Sequence, residues 1–88
     1  MRDVTYDELS HHCSADDLWV AINGRAYDVT EWSKAHPGGQ LVLVFLGGKD
    51  ATEQFRAYHP SWVWQQLQKF QVGTMQGNSQ TTKASRQV

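Results

Sequence analysis

Two histidines in this chain each stand directly before a proline, as His36-Pro37 and His59-Pro60. They are 23 residues apart, and two helical patterns lie between them. Neutral imidazole is a good metal ligand, and the iron of a porphyrin has two axial positions to fill. Two helix pairs facing each other, with an imidazole at each inner edge, would leave room between them for such a flat, apolar cofactor. A plainer reading stands beside this one: a histidine in a small domain is more often a surface residue or a satisfied core residue than a ligand.

A second cluster, His11-His12-Cys13, offers zinc-ligand types. Three consecutive residues cannot all point at one metal, and Cys13 is the sole cysteine of the sequence, so a tetrahedral site is not expected there. These residues read instead as the exposed end of a helix.

The elements that must position the paired histidines can be traced along the chain. Thr5-Tyr6-Asp7-Glu8 has the form of a capping box and predicts a short helix through about His11. Leu18 to Ile22 and Arg25 to Val29 read as strands, joined by Asn23-Gly24, a strong tight-hairpin signal. Thr30 is expected to cap a one-turn helix from Glu31 to Ala35, and Pro37-Gly38-Gly39 then forces a turn. Gln40 to Leu46 is a strand by composition, yet Gly47-Gly48 suits a helix C-terminus equally well. Asp50-Ala51-Thr52-Glu53 starts a capped helix ending near Tyr58, and Ser61 can cap a last helix from Trp62 to about Phe70. A short strand over Gln71 to Met75 completes an α+β domain, a small mixed sheet with short helix pairs, over residues 1–75. Residues 76–88 are polar and read as a flexible tail or linker.

Composition narrows the partners. With 88 residues the core alone is marginally stabilising, so a buried cofactor would add to it. Residues 1–74 carry nine acidic and six basic side chains, whereas the tail carries only Lys83 and Arg86. A mildly acidic body argues against nucleic acid as the main partner. The longest apolar run, Leu41 to Leu46, is far below the roughly 20 residues of a membrane span. No signal-peptide pattern opens the sequence, so a soluble chain is expected.

The motifs around the histidines carry a resemblance. Tyr27-Asp28-Val29-Thr30, His36-Pro37-Gly38-Gly39, Gly47-Gly48-Lys49-Asp50-Ala51-Thr52-Glu53-Gln54-Phe55 and finally His59 resemble the cytochrome b5 family from about Val4 to Met75, with Trp19 and Val72-Gly73 in the expected places. The resemblance implies that His36 and His59 are the two axial ligands of one haem. The sequence has no Cys-x-x-Cys-His, so the group implied is a non-covalent b-type haem. A carbonyl in the Pro-Gly-Gly turn would accept the free ring N–H of His36. Matching positions give a pocket wall of Ile22, Trp32, Val42, Leu43, Leu46, Phe55, Tyr58, Val63, Leu67 and Phe70, while Tyr27 and Trp19 are expected in a second core away from the haem.

The family's chemistry is single-electron transfer, because two strong axial ligands leave no open iron site. The implied donor is a flavin-containing reductase, and the implied acceptor is a membrane lipid-modifying oxygenase or another redox protein. The implied location is the cytoplasm or the cytosolic face of a membrane, reached through a fused segment. The alternative within the same family is a haem- or steroid-binding regulatory module, against which the presence of both histidines counts. Two departures from the common soluble carriers are visible. Arg56-Ala57-Tyr58 is shorter by one residue, and Tyr58-His59-Pro60 is similar to b5 domains fused to lipid desaturases and hydroxylases. Pro60 also removes a backbone donor for a haem propionate, leaving Ser61, Lys49 or Tyr58 as substitutes. The segment after His36 is unusually apolar. If it is helical, Val42, Leu43 and Leu46 face the cofactor and Leu41, Val44 and Phe45 turn away. Some of these would fill the core, or Leu41 and Phe45 would join Trp62 or Trp64 in an exposed apolar patch.

Overall fold

Asn23 and Gly24 both have positive φ, at 53° and 79°, which is the backbone a two-residue hairpin turn requires. The turn joins β3 (Asp17–Ile22) to β4 (Arg25–Asp28) in an antiparallel pair that sets Trp19 opposite Asp28 and Val20 opposite Tyr27. The computed structural model describes residues 2–35, 40–58 and 61–77, the side chains of 58, 61 and 62 excepted. Around the hairpin it adds three strands: β1 (Arg2–Thr5), β2 (Cys13–Ser14) and β5 (Gln71–Gln76). The five form one mixed sheet in the order β1-β5-β4-β3-β2, with β1 parallel to β5 and the other pairs antiparallel. The expected α+β architecture is therefore the observed one. Two strands, β1 and β2, were not legible in the sequence. The last strand runs through Gln76, and the expected tail from residue 78 onward lies outside the described residues.

Five α-helices fill the connections: α1 (Tyr6–Ser10), α2 (Thr30–Lys34), α3 (Gln40–Leu46), α4 (Thr52–Tyr58) and α5 (Ser61–Leu67), the last continuing into a 3-10 turn at Gln68–Phe70. None exceeds seven residues. Helices this short are unstable alone in water, so packing on the sheet must hold them. The segment that composition left open between strand and helix is the helix α3. It ends at Gly47-Gly48, with Gly48 at φ 76°. A Cβ on Gly48 would lie 3.1 Å from the Cys13 Cβ and 3.2 Å from the Leu9 carbonyl oxygen, so both conformation and space favour glycine.

Strand β3 is buried on both faces, and its alternation divides the interior into two clusters. Trp19 and Ala21 face one side with Val4, Leu9, Ala26 and Met75. Leu18, Val20 and Ile22 face the helices. Trp19 thus serves the second core as expected, but Tyr27 does not. It lies opposite Val20 and packs in the helix-side cluster, because Ala26 takes the other face of β4. The β4–β5 register also shifts between Ala26 and Tyr27.

Only half of the predicted capping box forms. Glu8 N donates to Thr5 Oγ1 at 3.0 Å, but the Glu8 carboxylate pairs with Arg2 instead of returning to the Thr5 amide. Arg2 also lies over the Trp19 ring, 5.5 Å from its centroid. The Arg2 hydrogen bond holds the Glu8 carboxyl below its ordinary range; desolvation opposes it, and the charges of Arg2 and His12 add to the lowering. Folding therefore favours the ionised form. Its contribution is present at neutral pH and is lost as the pH falls through the lowered value. The pair is exposed, so the effect is small. Thermal melts of Glu8→Gln and the unmodified chain should differ slightly near neutral pH. The gap should close as the pH falls below the ordinary glutamate range.

Candidate haem-binding site

Both helices that lead to the paired histidines begin with the same device. Thr30 Oγ1 donates to Asp28 Oδ1 at 2.7 Å, and the same carboxylate oxygen accepts from Thr30 N at 3.1 Å. The hydroxyl oxygen in turn accepts from Leu18 N at 2.9 Å, at the start of β3. Thr52 repeats the pattern: its hydroxyl and its amide donate to Asp50 Oδ1 at 2.6 Å and 2.9 Å, and its oxygen accepts from Asn23 N at 2.9 Å. Asn23 directly follows β3. Thr30 is therefore the first residue of α2 and not its cap. Val29 occupies the cap position without a side-chain bond, and the Thr30 amide, at the first helical position, goes to Asp28.

Between these two ties, the segment before α4 lies along β3. Gly48 N donates to Trp19 O at 2.7 Å, Ala21 N to Lys49 O at 3.0 Å, and Ala51 N to Ala21 O at 2.7 Å. Strand β3 is thus fastened to α2 at one end and to α4 at the other. His36 follows one residue after α2, and His59 follows directly after α4. The placements of His36, Pro37, Gly38, Gly39, His59 and Pro60 lie outside the described residues, as do the side chains of Tyr58, Ser61 and Trp62.

Eight of the ten expected wall residues meet in one place. Ile22, Leu43, Leu46, Phe55, Val63 and Leu67 are buried together, and Trp32 packs against them. Phe70 also packs there, half-buried at the end of the 3-10 turn. Phe55 on α4 lies at the centre. Its ring centroid is 6.1 Å from that of Trp32 on α2 and 6.2 Å, edge-on, from that of Trp64 on α5. Trp64 is accordingly half-buried against this cluster and does not join a surface patch. Val42 stands apart, 58% exposed on α3 beside Leu41 at 85% and Phe45 at 72%. Of the residues expected to turn away, Val44 packs on the core, while Leu41 and Phe45 remain in solvent. The Lys49 ammonium lies over the Phe45 ring, 4.6 Å from its centroid, and donates to the Phe45 carbonyl.

The described residues fit a flat apolar group. Among the described residues, the buried side chains of α3, α4 and α5 are all apolar. Ser33 on α2 is the buried polar residue among those described, and its hydroxyl is satisfied by the Thr30 carbonyl at 2.8 Å. Among the described residues, no buried charge on this wall opposes a porphyrin face. The other two histidines are engaged elsewhere. His11 Nδ1 hydrogen-bonds to the Asp7 carbonyl at 2.8 Å. His12 stacks on Trp19 with centroids 3.8 Å apart, and its Nδ1 meets Asp17 Oδ1 at 2.8 Å. Among the described residues, no three His, Cys, Asp or Glu side chains gather as a metal cluster.

Comparison with known proteins agrees with this reading. The family model described as cytochrome b5-like heme/steroid binding domain matches residues 5–76. The chain belongs to that family. It is similar to the cytochrome b5 of Ostreococcus tauri virus 2, with a TM-score of 0.78 and 33% identity over 88% of this chain and all of that one. It is also similar to cytochrome b558 of Ectothiorhodospira vacuolata, described as a prokaryotic homologue of cytochrome b5, with a TM-score of 0.76 and 32% identity over 84% of this chain and 98% of that one. Among curated relatives, an acyl-lipid (9-3)-desaturase of Borago officinalis is 47% identical over 80% of this chain. A Delta(8)-fatty-acid desaturase of Helianthus annuus is 42% identical over 94% of it. The chain spans only 16% and 18% of the lengths of these two relatives.

Sequence reading grouped most residues of this apolar cluster but missed the two Asp-x-Thr ties. The signal was present as the triplets Asp28-Val29-Thr30 and Asp50-Ala51-Thr52, repeated 22 residues apart. The burial pattern makes two substitutions informative. Phe55→Ala should cost about 3–5 kcal/mol in chemical denaturation, whereas Phe45→Ala should cost no more than about 1 kcal/mol, the scale of an exposed contact with one cation.

Proposed function

We propose that this domain carries single electrons on one non-covalent b-type haem, with His36 and His59 as its axial ligands. The observation that carries the reading is the meeting of α2, α4 and α5 at Phe55, where Trp32 and Trp64 flank one apolar cluster. The helices leading to both His-Pro sites are thereby joined through one wall. A haem bound against it supplies a one-electron couple whose potential depends on axial ligation and surroundings. The chain's own part is to hold two imidazoles, to exclude water with Leu43, Leu46, Phe55, Val63 and Leu67, and to keep charge away from the ring.

The proposed donor is a flavin-containing reductase and the proposed acceptor a membrane lipid-modifying oxygenase. Support for the acceptor comes from the relatives, which are named as fatty-acid and acyl-lipid desaturases. No described helix is long and apolar enough to cross a membrane, so contact with such an acceptor would run through another segment or a docked complex. The proposed location is the cytosolic side.

Visible spectra test the ligation directly. The oxidised and reduced protein should both give six-coordinate, low-spin spectra, and the reduced protein should bind carbon monoxide slowly. His36→Ala and His59→Ala should each open a coordination position and lose haem more readily, whereas His11→Ala and His12→Ala should retain the native spectrum. A high-spin spectrum of the unmodified protein, or equal haem loss from His12→Ala and His59→Ala, would refute the assignment. The reduction potential should lie below that of a His/Met cytochrome measured alongside.

A further inference from the structure

We propose that Thr30 and Thr52 are positioning residues that set the relation between the two haem-ligating histidines, with β3 acting as the spacer between them. This inference rests on the bis-histidine reading above and assigns a role to residues that do not touch the haem in that reading.

The two ties are chemically alike. In each, one threonine hydroxyl donates to an aspartate two residues earlier and accepts a backbone N–H from β3 or its end. A hydroxyl supplies both functions at once, which a methyl group of the same size cannot. The accepting sites are Leu18 and Asn23, five residues apart, a separation on the order of 17 Å along an extended strand. Downstream, His36 stands six residues after Thr30 and His59 seven after Thr52. Each tie therefore fixes the start of a short helix whose other end leads to a proposed ligand.

The flanking contacts explain why a hydroxyl at the helix start matters. Neither α2 nor α4 is long enough to hold its own direction. Helix α2 has no side-chain cap at Val29, so the Thr30 bond to Leu18 N is a principal polar link from its first turn to the sheet. The backbone link Val29 N to Leu18 O, at 2.8 Å, closes the same corner. The start of α4 is held by the backbone rungs at Trp19 and Ala21 as well, and Thr52 adds the last rung at Asn23. The Thr30 tie is part-buried and the Thr52 tie exposed. Loss of the first leaves two partners shielded from water, whereas water can replace the second.

The test uses the haem-loaded protein with Thr30→Val, Thr52→Val and the conservative Thr30→Ser and Thr52→Ser. Val4→Ala serves as a control, because Val4 lies in the other cluster across the sheet. Two quantities are read: haem transfer to an excess of an apo-haem-protein acceptor, and the low-spin ferric electron paramagnetic resonance g values, which respond to the mutual orientation of two axial imidazoles. Thr30→Val should lose haem about tenfold faster and Thr52→Val about threefold faster. Both should shift the g values, and both serine variants should restore them. Val4→Ala should lower the melting temperature and leave the g values in place. Valine variants with unchanged g values, and haem loss no faster than in Val4→Ala of similar melting temperature, would overturn the proposal. If Thr30→Val does not fold, Thr52→Val decides by the same two readings. If the unmodified protein lacks the bis-imidazole signal, the ligation reading fails and this proposal falls with it; if that signal is present, failure of the valine variants counts against the positioning role alone.

Discussion

Burial of β3 on both faces is the constraint on which the other elements depend. A strand covered on both sides must offer apolar side chains at every position, and Leu18 to Ile22 does so without interruption. One set of these side chains closes the small core beneath β1 and α1, and the other forms the floor of the helical half. The backbone of the same strand is engaged on its open edge by β2, by the segment after Gly48 and by two threonine hydroxyls. In a domain of 88 residues there is little apolar surface to spare. One strand used from four directions is how this chain connects its two apolar clusters.

The parts legible in sequence are those with a strong local cause. Asn23-Gly24 dictates its turn because both residues accept positive φ. The motifs on either side of Gly47-Gly48 carry enough identity to point to the family. Other features depend on tertiary context. Val4 is the single buried residue of β1, so no alternation marks that strand, and β2 has only two residues, both exposed. Helix α3 has the composition of a strand, and what marks it as a helix is its stop at Gly47-Gly48 and the packing of Leu43 and Leu46 in the core. Thr30 has the residue type of a cap, but its hydroxyl is engaged by Asp28 and by the Leu18 amide instead. Tyr27 depends on strand register, which residue type alone does not reveal.

The wall residues divide in the same way. Leu43, Leu46, Phe55, Val63 and Leu67 were identifiable because family position and simple burial agree for them. Val42 matches the family position yet is largely exposed, which fits a side chain whose partner is a bound group as well as one left in solvent. Trp64 follows a different rule. Its large ring completes an aromatic row with Phe55 and Trp32, and edge-to-face packing outweighs exposure at that helix position.

The pairing of the first and last strands has a mechanical consequence. Strands β1 and β5 are parallel neighbours, with Arg2 beside Gly73 and Thr5 beside Gln76. Gly73 permits this contact, since a Cβ there would lie 2.5 Å from the Arg2 carbonyl oxygen. Tension applied at Arg2 and Gln76 would pull the two strands along their length in opposite directions. The ladder would then be loaded in shear, its rungs sharing the force, instead of being unzipped one at a time. Such a domain would resist stretching between its first and last strands more than its modest size suggests.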